Sequence, residues 1–302
     1  MPGDTVMLET IEAWDGVVPR DFADALPADV EPDLARHIAS LAVPARAEPF
    51  NGPPLTGPIA IDGAEPGDTL VVEILEITPG TWAWTNCSRG SGTFGDLVDD
   101  PVVHYWDLRD GRTARFLPGI EVSIRPFCGV MGVAPAEPGR HSTALAYPSG
   151  GNMDIRHLTA GATLYLPVFV PGALFSLGDA HAAQGDGEIC GSGVEMDATV
   201  TLRFDLIKHQ CISRPRFRTN PAPMRDGSYF ATTGHDADIK NAVREAVLGM
   251  VGWLEREHEL NRAQALILAS ACVDLKISQT VATANWSLQT VSAFIPLGIF
   301  TD

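Results

Sequence analysis

The chain has 302 residues, 45% of them hydrophobic and 20% charged, with a formal net charge of -17. That length and apolar content give one large or two medium domains with a buried core and exclude a disordered chain. The acidic balance repels phosphate backbones and anionic lipid, so nucleic acid and membranes are excluded as partners, while a neutral small molecule meets no such barrier.

In chain order, Met1-Pro2-Gly3-Asp4 has neither the basic start nor the apolar run of a signal peptide. No later run approaches the roughly 20 apolar residues that span a bilayer, so the cytoplasm is the expected compartment. Pro2-Gly3-Asp4-Thr5-Val6-Met7-Leu8-Glu9 recurs as Pro66-Gly67-Asp68-Thr69-Leu70-Val71-Val72-Glu73, and more weakly as Ala160 to Leu166. Each copy reads as a turn feeding a strand. From 55 to 210, Gly and Pro punctuate β-branched and apolar runs, the pattern of many short strands. Within it, Arg112 to Arg115 reads as a loop, as does the proline-rich Arg214 to Arg225 further on. Thr199 to Ile207 alternates, with Val200, Leu202, Phe204 and Leu206 on one face, and reads as a half-buried strand. Ile239 to Leu254 carries apolar residues at helical spacing behind a cap at Asp236 or Asp238. Asn261 and Gln264 form a capping-box pattern opening a second helix through Ala271, and Val273 to Ile277 returns to period two. The expected fold is α+β and mostly β. A β-sandwich-like region over 1–140 precedes an α+β portion over 141–302 with two consecutive helices, and the site lies near their junction.

Gly178-Asp179-Ala180-His181-Ala182-Ala183-Gln184-Gly185-Asp186-Gly187-Glu188 concentrates the chemistry. Alternation along an extended backbone puts Asp179 and His181 on one side, and a glycine bend is expected to set Asp186 and Glu188 as a second pair. Crowded acids repel unless a cation or shared protons neutralise them, which points to a metal. Upstream, Gly150-Gly151-Asn152-Met153-Asp154 sends Asn152 and Asp154 to one side, and His141 and Glu195 flank the region as further candidates. A protein nucleophile is disfavoured. The five cysteines are scattered without a Cys-x-x-Cys pair, no partner histidine follows Cys190 at hand, and no Gly-x-Ser-x-Gly elbow occurs. A water activated by metal remains, with a carboxylate as base.

These same segments, together with Leu166 to Ser176, Thr56-Gly57-Pro58-Ile59, Gly63 to Asp68, Gly132 to Ala136 and Asp274 to Gln279, resemble the acetamidase/formamidase family over nearly the whole chain. The resemblance implies an intracellular hydrolase of short aliphatic amides on a mixed β-sandwich and α+β fold, assembled as a homodimer or higher homo-oligomer. Two departures stand out. The first Pro-Gly-Asp motif starts at Pro2, where relatives carry a preceding segment, and the stretch from Trp82 to Pro101 differs, with Trp82, Trp84 and Trp106 expected to reshape the pocket.

The reading that follows is a metal-dependent amidohydrolase releasing ammonia and a carboxylate from a formamide- or acetamide-type substrate. Asp179 and His181 are the expected ligands, joined by Asp154 or Glu195. Glu188 or Asp186 is the base, and Gln184 and Asn152 hold the substrate by hydrogen bonds. Zinc suits the imidazole, and calcium is the alternative for an oxygen-rich set. The rivals are hydrolysis of another linear or cyclic amide on the same fold and a non-catalytic calcium-binding β protein.

Overall fold

The computed structural model of the chain describes residues 2–14, 32, 52–89, 94–219, 229–282 and 287–301. The protein is α+β and mostly β, with its two consecutive helices near the C-terminus. The Pro-Gly-Asp turns deliver strands as their sequence requires: β1 (Thr5–Thr10) follows Gly3, and β3 (Thr69–Cys87) follows Gly67. Both glycines have positive φ, +92° and +95°, the conformation that such a turn needs. In the second copy the Asp68 carboxylate accepts the amides of Glu65 and His209, each at 2.9 Å, and pairs with Lys208. The Lys208 contact, with the His209 amide next, lowers its pKa to about 2.

The short strands expected between 55 and 210 are present. They comprise β2 (Leu55–Ile59), β4 (Val102–Asp107), β5 (Thr113–Leu117), β6 (Ile120–Ser123), β7 (Phe127–Gly132), β8 (Ala146–Tyr147), β9 (Gly150–Asn152), β10 (Thr163–Pro167), β11 (Phe175–His181) and β12 (Glu195–Ile207). An edge strand, β13 (Arg216–Arg218), pairs with β10. Among the described residues one sheet has eleven strands, with the path β13-β10-β3-β12-β11-β7-β9-β8 and with β1, β2 and β4 paired to β12, β11 and β3. Strands from both sides of residue 140 therefore share it, since β3 lies between β10 and β12.

β12 buries Val200, Leu202 and Phe204 as its alternation requires, and it begins earlier than expected, at Glu195. Arg112 to Arg115 is not a loop. Thr113 opens β5, which pairs with β6 because Ala114 and Phe116 alternate inward beneath the charged positions. In the second expected loop β13 occupies 216–218, and residues 220–225 lie outside the described residues. Trp82, Trp84 and Trp106 are core residues, at 4%, 1% and 0% exposure, and they line neither the cleft beside Gln184 nor the one beside His141.

A three-stranded sheet of β14 (Tyr229–Asp236), β16 (Ser287–Pro296) and β15 (Asp274–Ala282) carries the helices. Helix α1 (Ile239–Glu257) starts at Asp238, whose side chain accepts the Lys240 amide at 2.7 Å, and packs Ala242, Ala246, Val247, Met250 and Leu254 inward. Gly234 of β14 lets the helix approach, because a Cβ there would strike the α1 backbone. Helix α2 (Arg262–Cys272) opens with the reciprocal Asn261–Gln264 capping box and is buried from Ala265 to Cys272. It has no solvent face over that span because it is wedged against the loop carrying residues 182–194. The amide of Gly185 reaches Ser270 O at 2.8 Å, and Cys190 Sγ reaches Leu266 O at 3.0 Å. Among the described residues no helix is long and apolar enough to cross a membrane.

Candidate active site

Strand register builds the site. His181 of β11 lies opposite Phe127 of β7 and Glu195 of β12, and Glu195 lies opposite Trp84 of β3. Cross-strand partners share a face, so an imidazole and a carboxylate meet on one side of the sheet with an aromatic residue at each end of the row. Phe127 meets the imidazole edge-on at 5.0 Å. His181 Nε2 stands 2.9 Å from Glu195 Oε2 and 3.5 Å from Asp179 Oδ1. Asp154 and Glu188 close a second group around the same histidine. In each triad, Asp154–His181–Glu188 and Asp179–His181–Glu195, the candidate ligand atoms lie within 4.8 Å of one another.

The backbone is strained to achieve this. Asp154, Asp179 and Glu188 have positive φ, 49°, 57° and 41°. Each such non-glycine residue costs on the order of 1–3 kcal/mol and persists only where the surroundings over-determine it. Gly129 of β7 supplies the space, since a Cβ there would collide with the Asp154 and Asp179 carboxylates.

Hydrogen bonds fix the orientation of each group. Gln184 Oε1 accepts from His181 Nδ1 at 2.7 Å, while Gln184 Nε2 donates to the Asp154 carbonyl at 3.1 Å. With Nδ1 as the donor, a neutral imidazole turns its Nε2 lone pair toward two carboxylates, which is repulsive unless a proton or a cation stands between. His181 Nε2 and Glu195 Oε2 are buried and 2.9 Å apart, yet neither completes a hydrogen bond. Asn152 is assigned with its amide nitrogen inward, 3.1 Å from Asp179 Oδ2 and 3.2 Å from Asp154 Oδ2, because its oxygen would otherwise face only acceptors.

Electrostatics agree. Burial raises Asp154 to about 6 and Glu195 to about 7. Burial, then the neighbouring Asp154, raises Glu188 to about 9. Burial alone would depress His181, yet Glu195 and Asp179 outweigh it and hold the imidazole well above its usual range. Asp154, Glu188 and Glu195, crowded around one imidazole, thus resist full ionisation and are relieved by protons or by a cation. The unpartnered Nε2 and Oε2 and a donor set of nitrogen and oxygen fit a divalent transition metal such as zinc. Calcium fits less well, because imidazole is a poor ligand for it.

Asp179, His181, Asp154, Glu195 and Glu188 converge. Asp186 does not. The expected Asp186–Glu188 pair fails because 185–188 is a turn rather than extended chain, with Glu188 N bonded to Gly185 O at 3.2 Å and Gly187 at φ +108°. Asp186 instead sits 3.9 Å from His157 Nε2, part-exposed. Gln184 and Asn152 spend their amides on His181 and on the acids. His141 is elsewhere, its Nε2 2.8 Å from Glu137 O, beside an apolar cleft of about 250 Å³. A second cleft, of about 300 Å³, is walled by Gln184, Ala183, Arg125, Arg156 and Ile299. Gly129, Phe127 and the Ser192–Gly193 peptide were missed in the sequence.

Cys190 is buried, and burial pushes its thiol well above the usual range, with Cys87 and Glu188 adding to the effect. A thiol so held is a poor nucleophile. Cys190→Ser is expected to retain amide hydrolysis within roughly tenfold, about 1.4 kcal/mol of barrier. An inactive but folded variant, with an acyl adduct on Cys190 in the mass spectrum of wild type, would reverse that assignment.

Residues 50–144 and 139–302 match the Acetamidase/Formamidase family. The acetamidase of Mycolicibacterium smegmatis is 27% identical over an alignment covering 78% of this chain and 76% of that protein. The formamidase of Methylophilus methylotrophus is also 27% identical, over 82% and 76%. Among solved structures, a gamma lactamase from Delftia acidovorans superposes with a TM-score of 0.83 at 25% identity, covering 100% of this chain and 86% of that one. An acetamidase from Bacillus halodurans gives 0.60 at 30% identity, covering 99% and 90%. The chain belongs to the Acetamidase/Formamidase family and is an amidase, a hydrolase of carbon–nitrogen bonds other than peptide bonds.

Proposed function

We propose that this amidase hydrolyses a small neutral amide at a divalent-cation site, giving a carboxylate and ammonia. The observation that carries the reading is the pair of buried, unpartnered atoms, His181 Nε2 and Glu195 Oε2, turned toward each other among further acids. His181, Asp179 and Glu195 would hold the ion, with Asp154 beside them. A bound zinc supplies a Lewis acid that acidifies water and polarises a carbonyl.

The residues of the chain do the rest. Gln184 holds Nδ1 as the donor, so that Nε2 is the ligand atom. Asn152 keeps the Asp154 and Asp179 carboxylates in place by donating to both. Glu188, whose carboxyl burial raises to about 9 and whose ionised form a bound cation would favour, would accept the proton of the attacking water at its carboxylate and deliver it to the amide nitrogen as the C–N bond breaks. Phe127 covers the imidazole and excludes bulk water there. The cleft of about 300 Å³ shares Gln184 with the cluster and is the entry assigned to the substrate.

A second reading is hydrolysis of a cyclic amide, favoured by the likeness to the gamma lactamase. The two differ in their products. Ring opening leaves the nitrogen attached and releases no ammonia, whereas a primary amide releases one ammonia per turnover. Ammonia release from formamide, acetamide and propionamide, and chromatographic loss of a five-membered lactam, should therefore be measured before and after chelation, with zinc and calcium add-back. Chelation is expected to remove nearly all activity toward the preferred amide, and zinc rather than calcium to restore it. Full turnover in protein shown metal-free by elemental analysis would overturn cation dependence.

A further inference from the structure

Glu195 can serve a cation with only one oxygen, because its other oxygen is already committed. Oε1 accepts the Gly193 amide at 2.7 Å and the Ser192 hydroxyl at 3.3 Å. That leaves Oε2 directed at His181 Nε2. The residue that donates that amide, Gly193, is itself held from behind through its own carbonyl, in the peptide on the other side of its Cα. Thr85 neighbours Trp84 in β3, so its side chain leaves the opposite face of the sheet from Trp84 and Glu195. From there its hydroxyl donates to the Gly193 carbonyl at 2.6 Å, and the Trp106 indole N–H donates to that hydroxyl at 2.9 Å. Thr85 and Trp106 are both fully buried.

We propose that Trp106 and Thr85 form a positioning relay that fixes the Gly193 backbone at its carbonyl, and so holds its amide against Glu195 with Oε2 presented to the cation site. Neither residue touches the site. The inference rests on the cation reading above. Such supporting groups act on metal affinity because a ligand already held in place loses less freedom on binding, and their removal typically costs 10- to 100-fold in affinity. The tryptophan that the sequence suggested would reshape the pocket thus works one layer away, on a ligand. Gly193 suits the junction because any side chain there would press on the His181 ring and on Gln184 Oε1.

The test is the dissociation constant of zinc for the full chain, by competition with a chromophoric chelator, with thermal unfolding followed in parallel. Thr85→Val keeps shape and removes the hydroxyl. It is expected to weaken zinc binding by about 10- to 100-fold. Thr85→Ser restores the hydroxyl and is expected to stay within about threefold of wild type, a rescue that loss of packing alone would not produce. Equal affinity in wild type and Thr85→Val, or equal losses in the Val and Ser variants, would overturn the relay and leave the cation site standing. Wild type that binds no zinc would overturn both. If Thr85→Val does not fold, Trp106→Phe decides, since it keeps an aromatic ring in the core and removes the donor, and unchanged zinc affinity in that variant overturns the relay.

Discussion

His181→Ala is expected to lower kcat/KM at least a hundredfold, about 2.7 kcal/mol of barrier, and to strip zinc from the protein. His181 provides the nitrogen that both triads share, and its position is over-determined. The ring is fully buried, Gln184 holds Nδ1 at 2.7 Å and Phe127 abuts the ring edge. Among the described residues, the groups that approach its Nε2 are carboxylates that already crowd one another. The substitution also removes the positive partner that Glu195 and Asp179 face when no ion is bound, so a lowered melting temperature should accompany the loss. Near-normal turnover and zinc content in a folded variant would make the cluster structural and sink the proposed mechanism.

Glu188→Gln separates the two acids that the sequence offered as base. A general base contributes on the order of 10²- to 10⁴-fold, and kcat should fall by that amount while the zinc content stays near wild type. Asp186→Asn should stay within about threefold, because Asp186 faces His157 outside both triads. Loss of zinc together with activity in Glu188→Gln would make Glu188 a ligand instead of the base. A large loss in Asp186→Asn would reverse the assignment.

Chemistry confined to neighbouring residues was readable from the chain alone. The caps at Asp238 and Asn261 needed only a side chain and an amide two or three residues on, and they formed as the spacing requires. The alternation of Val200, Leu202 and Phe204 stated which side of β12 is buried, and the Pro-Gly-Asp turns stated where two strands begin. The central motif likewise held three members of the cluster that the fold brings together, Asp179, His181 and Glu188. Misreadings arose where local pattern was weak or where the chain bends. Arg112 to Arg115 looked polar, although Ala114 and Phe116 were enough to seat a strand, and the pairing of Asp186 with Glu188 assumed an extended backbone that Gly187 and Glu188 abandon.

Which acids meet was decided only in three dimensions. Glu195 reaches His181 through the register of β11 against β12, and a slip of one residue would turn it to the other face of the sheet. Asp154 arrives from the turn after β9, and only because Gly129 on another strand leaves it room. Thr85 and Trp106 come from the far side of β3 and β4. By itself the sequence offered candidate residues for the site and determined the local devices that flank them, because those depend on covalent spacing. The tertiary structure alone decided the membership of the cluster, because contacts between distant strands are selected by register, burial and steric room, which belong to the whole sheet.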